Sequence, residues 1–366
     1  MIEAVSNFFT TPLYQLATWQ QILAVMIKGG LIMGFIFGIT GYIVLFERRV
    51  IARLQHRVGP NRARLYIGKF KVPFLNLHPI ADVLKLLTKE DSLPPFVDKW
   101  LFILAPVIIT ITGLLGLGLI PLGDANASHW YSVTNTNVGV LLFLAFSSLG
   151  VYSIVLAGWA SNSKYAMIGG LRATAQMISY ELSMSLSLLG VVMLVSSLRL
   201  NDIVIAQKDM WFIVLQPIGF LVFAISAIAE SRRTPFDLPE AENELVAGFH
   251  TEYSSMKFAL FFLGEYIGVL VLSAMIAIMY LGGWHGPFLD STPAWLGAIL
   301  PPFYLILKIF ALLFFFIWIR ATFPRFRYDH LMEFGWKFLI PLSIANLVIT
   351  AIVILIFPNI VPQAIR

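Results

Sequence analysis

Long apolar runs separated by short polar segments make up most of the chain. A run of about 20 apolar residues forms a helix long enough to cross a bilayer core of about 30 Å. Such runs must be helical, because unpaired backbone amides cannot face lipid. The pattern predicts eight spans, near residues 22–46, 99–122, 138–159, 174–198, 211–229, 258–281, 296–319 and 336–358. We therefore predict an all-α integral membrane protein with about eight transmembrane helices in a single membrane domain, residues 1–366.

The loop after the first predicted span contains a second kind of pattern. In IADVLKLLTKED, residues 80–91, the apolar residues Ile80, Val83, Leu84 and Leu87 recur at helical spacing, and the charged residues lie off that stripe. This predicts a short amphipathic helix on the membrane surface or under a partner protein. A basic anchor on anionic lipid explains the charges equally well, so both interpretations stay open.

The composition agrees with a membrane protein. Of the 366 residues, 58% are hydrophobic and 12% are charged, against about 25% charged in soluble domains. The chain has no cysteine, which excludes thiolate-held iron–sulfur clusters and Cys-zinc sites from it. Its six histidines avoid the middles of the apolar runs, so we expect no haem and no metal site. If electrons are involved, a partner carries them.

Basic residues concentrate in alternate loops. Eleven Lys and Arg residues lie between Arg48 and Lys99, and the other loops on that side add more, whereas the opposite loops hold only Arg199 and Lys208 besides the terminal Arg366. Positive residues mark the cytoplasmic side of a membrane. This predicts that both termini lie on the periplasmic side. The same topology explains the basic balance without nucleic acid, and no phosphate-binding or nucleophile-elbow motif is present.

Six carboxylates crowd into the loop after the fifth predicted span. They are Glu230, Asp237, Glu240, Glu242, Glu244 and Glu252. Pro235 and Pro239 interrupt any helix there, and a short helix is expected from Glu240 onward. Crowded carboxylates raise one another's pKa and share protons. A solvated acidic face is the alternative, but the interleaved apolar residues and short tethers favour a loop folded against the membrane surface.

Four further charges fall inside predicted spans: Lys28, Glu181, Glu265 and Lys308. An isolated charge at the bilayer centre costs about 2.5–3.5 kcal/mol on insertion scales, so each needs a partner or a hydrated cavity. Buried acids and lysines titrate closer to neutral pH and suit proton relays. The alternative is a structural tie between helices, with Lys308 paired to Glu181 or Glu265. Lys28 lies near a helix end, where it can reach the interface.

Four long strings now identify a family resemblance. They are ERRVIARLQHRVGPNR at 47–62, GWASNSKYAMIGGLRATAQMISYE at 158–181, AESRRTPFDLPEAENELVAGFHTEYSSMKFALFFLGEY at 229–266 and FIWIRATFPRFRYDHLMEFGWK at 316–337. In these strings and along nearly its whole length, the chain resembles the H subunit of respiratory complex I, the proton-translocating NADH:quinone oxidoreductase, in its bacterial form. The chain departs from the family's usual pattern over 63–79, where relatives usually read GPxGLLQP.

The resemblance implies a fold, a substrate and residue roles. That subunit forms much of a quinone tunnel and the start of a carboxylate path into the membrane, with ubiquinone or menaquinone as substrate. No cofactor is held covalently, and this chain has no redox centre of its own, so catalysis belongs to the assembly. The implied quinone-tunnel residues are Glu47, Arg48, Arg57, Asp82, Arg233, Phe236, Asp237 and Arg320. The implied proton-coupling residues are Glu181, Glu230, Glu240, Glu242, Glu244, Glu252 and Glu265.

The resemblance also implies partners and a location. The partners are the hydrophilic-arm quinone-site and iron–sulfur subunits, small membrane subunits, antiporter-like subunits and the lipid bilayer, in the bacterial inner (plasma) membrane. One alternative is the equivalent subunit of a membrane-bound hydrogenase or a ferredoxin-dependent relative. Another is a stand-alone proton-coupled transporter, which predicts internal repeats and paired broken helices; the sequence has neither. A purely structural anchor does not explain charges at membrane depth.

Overall fold

The computed structural model describes residues 18–67, 70–124, 131–238, 242–287 and 294–356. Its helices are α1 Thr18–Leu54, α2 His78–Thr88, α3 Lys99–Gly118, α4 Gly139–Ala160, α5 Lys164–Val195, α6 Leu200–Ile205, α7 Phe212–Leu215, α8 Pro217–Glu230, α9 Glu242–Leu245, α10 Ser255–Tyr280, α11 Ala294–Thr322, α12 Tyr328–Glu333 and α13 Ile340–Ile356. A 3₁₀ turn covers Gly248–His250, and a π-helical segment, Phe334–Leu339, joins α12 to α13.

The predicted all-α membrane architecture is confirmed. In the described parts of the chain, six helices are long and apolar enough to cross a membrane: α3, α4, α5, α10, the Ile299–Thr322 part of α11, and the continuous stretch Tyr328–Ile356. Helix α1 covers the first predicted span, and the shorter apolar helix α8 covers most of the fifth. The total of eight spans therefore stays a prediction.

The fifth predicted span is broken near its start. Helix α7 ends at Leu215, and α8 begins at Pro217. Between them Gln216 has φ −132° and ψ 62°, outside the helical region. Proline disfavours the helical conformation in the residue before it and is well tolerated in the first turn of a helix. Pro217 therefore ends one helix and starts the next.

A hairpin interrupts the otherwise helical chain. Strands β1, Arg64–Ile67, and β2, Phe70–Asn76, pair antiparallel. They lie in the stretch 63–79 that departs from the family's usual pattern. The predicted amphipathic helix follows directly as α2, in which Ile80, Val83, Leu84 and Leu87 are each more than half exposed. The rest of the described chain leaves that apolar stripe largely uncovered, as expected for a surface helix.

The helices pack into one bundle around α5 and α10. Helix α4 packs between α3 and α5, while α5 also contacts α8 and α13. Close approach of α4 and α5 depends on Gly158, because a Cβ there would lie 2.8 Å from the carbonyl oxygen of Ala166. Small residues of this kind let membrane helices pack backbone to backbone. Helix α10 is buried along most of its length, which places its Glu265 inside the bundle.

The loops that carry most of the candidate residues meet at one end of the bundle, which we call the basic end: loops 55–77, 89–98, 161–163, 231–254 and 323–327. Ser92 and Ser254 hydrogen-bond across two of these loops, at 3.0 Å between hydroxyls. Phe326 donates its backbone N–H to the Pro235 carbonyl at 3.1 Å. The fold thus brings the acidic loop against the loop that follows α11.

Candidate functional site

Arg233 lies at the centre of a buried ion-pair cluster at the basic end. It belongs to the loop after α8, and 7% of its side chain is exposed. Its Nη1 donates to Glu47 Oε2 in α1 at 2.5 Å, and its Nε donates to Glu265 Oε1 in α10 at 2.9 Å. Both carboxylates therefore compensate the buried guanidinium in charge and in hydrogen bonding. The arginine ties the acidic loop to two long helices.

Tyr266 contacts both members of the Glu47–Arg233 pair. Its hydroxyl donates to Glu47 Oε2 at 3.0 Å. Its ring lies under the guanidinium of Arg233, 4.0 Å from ring centroid to Cζ. A desolvated arginine over a tyrosine ring gains a cation–π attraction of about 2 kcal/mol. The tyrosine that follows Glu265 in the sequence therefore fixes the geometry of the cluster.

Arg320 is the member of the cluster that reaches the edge of the bundle. From α11 it donates to Glu47 Oε1, the oxygen that Arg233 does not use. About a third of its side chain is exposed, whereas that of Glu47 is 5% exposed. Two arginines and two carboxylates then carry no net charge among them. A charge placed beside Arg320 would therefore disturb a balanced set of buried charges.

A second, separate pair involves Asp237. Arg325 donates from Nη2 to Asp237 Oδ2 at 3.1 Å, while Asp237 Oδ1 has no partner among the described residues. Burial raises the pKa of the Asp237 carboxyl to about 6, and the nearby Glu265 adds to this, although Arg325 and Arg320 lower it. A carboxyl that titrates near neutral pH can both hold and release a proton.

An internal polar cavity of about 90 Å³ lies beside the cluster. Glu230, Arg232 and Glu265 line it, together with apolar residues of α3, α4 and α10. Glu230 Oε2 and the Nε and Nη1 of Arg232 are buried and have no hydrogen-bond partner in the described chain. A water needs roughly 10–15 Å³ of such space and two or more polar partners. The cavity therefore has room and partners for several waters.

Glu181 lies farther along the same side of the bundle. The hydroxyls of Ser147 and Ser148 in α4 both donate to its Oε1, the first at 3.4 Å. Ser147 also lines the polar cavity. Glu181 is thus held by hydroxyls, and the alternative tie to Lys308 is wrong. Lys308 instead donates to three backbone carbonyls after α10. The side chain of Lys28 lies outside the described residues.

Arg48 and Asp82 form a third pair, at the outer edge of the basic end. Arg48 Nη1 donates to Asp82 Oδ2 at 2.9 Å, and both side chains are about half exposed. The pair joins α1 to the surface helix α2. Arg57, also predicted to line the tunnel, donates to Gln55 at 2.8 Å and is exposed. The structure therefore does not bring Arg57 into contact with the clusters described above.

The remaining predicted acids are not gathered into the buried cluster. Glu244 binds Arg172 of α5 at 2.6 Å and is more than half exposed. Glu252 is half-buried before α10 and makes no ion pair with other described residues. Glu242 begins the short helix α9, while Glu240 and the side chain of Glu242 lie outside the described residues. The expected helix in this loop is only four residues long, since Val246 and Gly248 have positive φ.

Two apolar cavities adjoin these polar groups. One of about 770 Å³ is lined by Phe236, Trp318 and Phe326 among others. Phe236 is buried, and its ring packs against Tyr180 and Phe326. The other, of about 390 Å³, runs between α1, α10 and α11 and reaches Arg49, the neighbour of Arg48. Among the described residues, no group of three or more His, Asp or Glu is placed to hold a metal ion.

Comparison with known proteins gives a consistent result. Residues 27–351 match the family model described as NADH dehydrogenase. The first of two NADH-quinone oxidoreductase H subunits of Geobacter metallireducens is 50% identical over 90% of this chain and 96% of its own length. The NADH-quinone oxidoreductase H subunits of Syntrophotalea carbinolica and Geobacillus kaustophilus are each 47% identical over 91% and 92% of this chain, and over 97% and 95% of their own lengths.

The chain belongs to the NADH dehydrogenase family. The family resemblance drawn from the four sequence strings is therefore confirmed, and so is a multi-pass membrane subunit of an NADH-quinone oxidoreductase. The family's membrane subunit contributes to an enzyme, a translocase, whose activity resides in the assembly.

Some members of the site were not predicted from the sequence. Arg325 and Arg232 lie in strings that were noted only for their resemblance, and Ser147 and Ser148 were not singled out at all. A usable signal existed for the serines, because adjacent hydroxyls inside an apolar helix require local partners. For Arg325 there was none, since the five basic residues after α11 cannot be ranked by pattern alone.

Proposed function

We propose that this chain forms the membrane wall of a quinone site and the first carboxylates that couple quinone reduction to proton movement. The observation that carries the proposal is the Glu47–Arg233–Glu265 connection. It joins the acidic loop, α1 and α10 in one buried, charge-balanced unit, with Arg320 at its open edge. Such a unit responds to a charge that appears beside it.

The polar edge of this unit suits a quinone head group. Arg48, Arg320 and Arg325 are partly exposed cations at the basic end, each paired with a carboxylate. Cations fixed in place stabilise negative charge that develops on a reacting oxygen. The apolar cavity between α1 and α11, which ends near Arg49, offers room for a hydrocarbon tail. We therefore expect the head group near Glu47, Arg48, Asp82 and Arg320, with Phe236 and Asp237 beside it.

Proton transfer begins at Asp237 in this proposal. Reduction of a quinone to a quinol takes up electrons and protons in equal number, and the electrons come from a partner subunit. Asp237, with its pKa raised to about 6 by burial, supplies a proton and becomes a carboxylate. The new negative charge near Arg320 and Arg325 weakens their hold on neighbouring carboxylates.

The change then passes inward. Glu265 belongs both to the Arg233 cluster and to the lining of the polar cavity, which it shares with Glu230. Water in that cavity would connect these acids, and the Ser147 hydroxyl continues the contact toward Glu181. Glu230, Glu265 and Glu181 are therefore the proposed relay toward membrane partners. Glu240, Glu242, Glu244 and Glu252 keep only the role implied by the resemblance.

The partners and orientation follow from the same proposal. Hydrophilic-arm subunits with the iron–sulfur clusters and the rest of the quinone site would cover the basic end. Small membrane subunits and antiporter-like subunits would receive the relay within the bilayer. The basic end faces the cytoplasm by the positive-inside rule, and both termini lie on the periplasmic side. The substrate is ubiquinone or menaquinone.

The test replaces Asp237 with asparagine in the assembled complex. In membranes carrying Asp237→Asn, NADH-to-ferricyanide activity should stay at the wild-type level, whereas quinone reduction should fall about tenfold or more, within the usual range for losing a proton donor. Because the protonated form disappears as pH rises through about 6, the wild-type rate should decline over that interval. The variant should lack this decline, although Arg320, Arg325 and Glu265 still face the site.

Asp329→Asn is the matched control. Asp329 also pairs with an arginine, Arg327, at 2.9 Å, but both side chains are about two-thirds exposed or more. It should leave quinone reduction and its pH profile unchanged. Normal quinone reduction in assembled Asp237→Asn would show that the loop acids are only a solvated face and would overturn the proposal.

A further inference from the structure

Gln176 of α5 holds both ends of the loop that carries Arg233. The side chain is fully buried. Its Nε2 donates to the carbonyl oxygen of Ala229 and to that of Phe236, each at 2.9 Å. Both acceptors are carbonyls, so only the amide nitrogen can satisfy them, which fixes the orientation of the amide. One side chain thus closes an eight-residue segment of backbone, 229–236.

The two carbonyls flank the groups that the proposed function needs. Ala229 precedes Glu230, which lines the polar cavity, and Phe236 precedes Asp237, which pairs with Arg325. Arg233 lies between the two carbonyls in the sequence. A shift of either carbonyl would therefore move the cavity acid, the central arginine or the proton-holding aspartate.

The enclosed backbone needs such support. Arg232 has φ +54°, a left-handed conformation that costs energy in any residue with a side chain and persists only where the surroundings impose it. Within the loop, Phe236 donates its N–H to the Arg233 carbonyl at 2.8 Å. The Gln176 amide adds the contact from outside the loop, and it comes from a long helix that spans the bundle.

Tyr180 extends the same contact one helical turn along α5. Its ring packs against Phe236 with 5.6 Å between centroids, and its hydroxyl donates to the Leu331 carbonyl at 2.9 Å. Residues four apart share a helix face. That face of α5 therefore contacts the acidic loop on one side and helix α12, which follows the loop of Arg325, on the other.

We propose that Gln176 is a positioning residue for quinone-linked proton transfer: its amide sets the loop so that Arg233 and Asp237 stand in register with the helices that hold their partners. This rests on the proposed function of the loop. The residue does not touch the substrate. Its effect should appear in turnover rather than in substrate binding, because a proton donor displaced by about 1 Å can slow a step by as much as a hundredfold.

A second buried glutamine supplies a matched control. Gln207 is also fully buried, and its Nε2 donates to the carbonyls of Ile203 and Ile278, at 3.1 and 2.7 Å. Its Oε1 accepts from the N–H of Gly282 at 2.9 Å. It therefore joins α6 to α10 as Gln176 joins α5 to the loop, but at the opposite end of the bundle.

The experiment compares Gln176→Leu, Gln176→Glu and Gln207→Leu in membranes with the assembled complex. Subunit content and NADH-to-ferricyanide activity are measured first, then kcat and KM for a soluble quinone analogue. Gln176→Leu should lower kcat about tenfold or more with less than a threefold change in KM. Gln176→Glu should lose less, since a buried, neutral carboxyl keeps one donor for the two carbonyls. Gln207→Leu should retain wild-type kcat and KM.

Two results would overturn the role of Gln176. One is wild-type turnover in assembled Gln176→Leu. The other is an equal loss in Gln207→Leu, which would make the effect a general consequence of a buried glutamine. Asp237→Asn distinguishes the two proposals. If Asp237→Asn abolishes quinone reduction while Gln176→Leu does not, only the positioning role fails; if Asp237→Asn is normal, the function of the loop fails with it.

Discussion

Arg233 and Lys308 are two cations in the bundle, and their partners differ in kind. Arg233 binds the carboxylates of Glu47 and Glu265, whose charge can change with protonation. Lys308 donates to the carbonyls of Leu281, Gly283 and His285 at 2.6 to 2.8 Å, and carbonyls do not titrate. One cation is therefore part of a changeable charge network, whereas the other is a fixed anchor at the end of a helix.

The surroundings of the two cations support the same distinction. The Arg233 cluster borders a polar cavity and reaches the edge of the bundle through Arg320. Lys308 lies over the ring of Trp211, 4.7 Å from its centroid, and its ammonium binds the backbone just after α10. Positive charge near a helix C-terminus stabilises the helix. Charge at membrane depth is thus a sign of chemistry only when its partner can also change charge.

The largest expected effect comes from removing the cation of the cluster. Arg233→Leu leaves Glu47 and Glu265 buried with less compensation, which typically costs about 3–5 kcal/mol when a buried pair is broken. We expect loss of quinone reduction and a lower yield of assembled complex, measured by activity and by subunit content. Arg233→Lys should recover assembly in part, because it keeps the charge but not the fork of donors. Wild-type assembly of Arg233→Leu would contradict the described cluster.

Removing the anchor should separate stability from activity. Lys308→Met leaves three carbonyls without their charged donor, and unsatisfied buried groups cost about 1–3 kcal/mol each at most sites. The complex should therefore unfold at lower temperature, while quinone kcat and KM in the intact fraction stay at wild-type values. Lys308→Arg retains a cation as the paired variant. A large loss of turnover without loss of thermal stability would mean that Lys308 belongs to the proton path.

The smallest effect is expected at the Arg48–Asp82 pair. Both side chains are about half exposed, and exposed ion pairs contribute about 0–1 kcal/mol. Arg48→Gln should leave the stability of the complex unchanged. It should raise the KM for quinone several-fold, since Arg48 is proposed to face the head group. The result to look for is a KM change without a kcat change; unchanged KM would remove Arg48 from the site.

The sequence located the parts of this site better than their connections. Glu265 was found because a single acid inside an apolar run stands out, and α2 was found because its apolar stripe is periodic. The contact of Arg233 with Glu47 joins residues 186 positions apart, and nothing local records such a contact. Gln176 was not singled out because an uncharged amide in a helix gives no sign that it binds a distant loop.

The boundaries that differ have local physical causes. Helix α5 begins at Lys164, ten residues before the predicted span, because its first turns lie beyond the apolar run but continue the helix. The break at Gln216 follows from Pro217, a signal present in the sequence but overridden by the hydrophobicity of the run. The hairpin β1–β2 lies in the stretch that departs from the family's usual pattern, so the resemblance gave no guide to it.

The central claim is that the buried acids couple quinone reduction to proton movement, and Glu265 tests it most directly because it belongs to both the cluster and the cavity. The complex with Glu265→Gln is reconstituted in vesicles, and proton transport and quinone reduction are measured together. Glu333→Gln, an exposed acid paired with Lys337, is the control. The account predicts that Glu265→Gln loses most proton transport and quinone reduction, while ferricyanide reduction and the control stay normal. Full proton transport in assembled Glu265→Gln would contradict it.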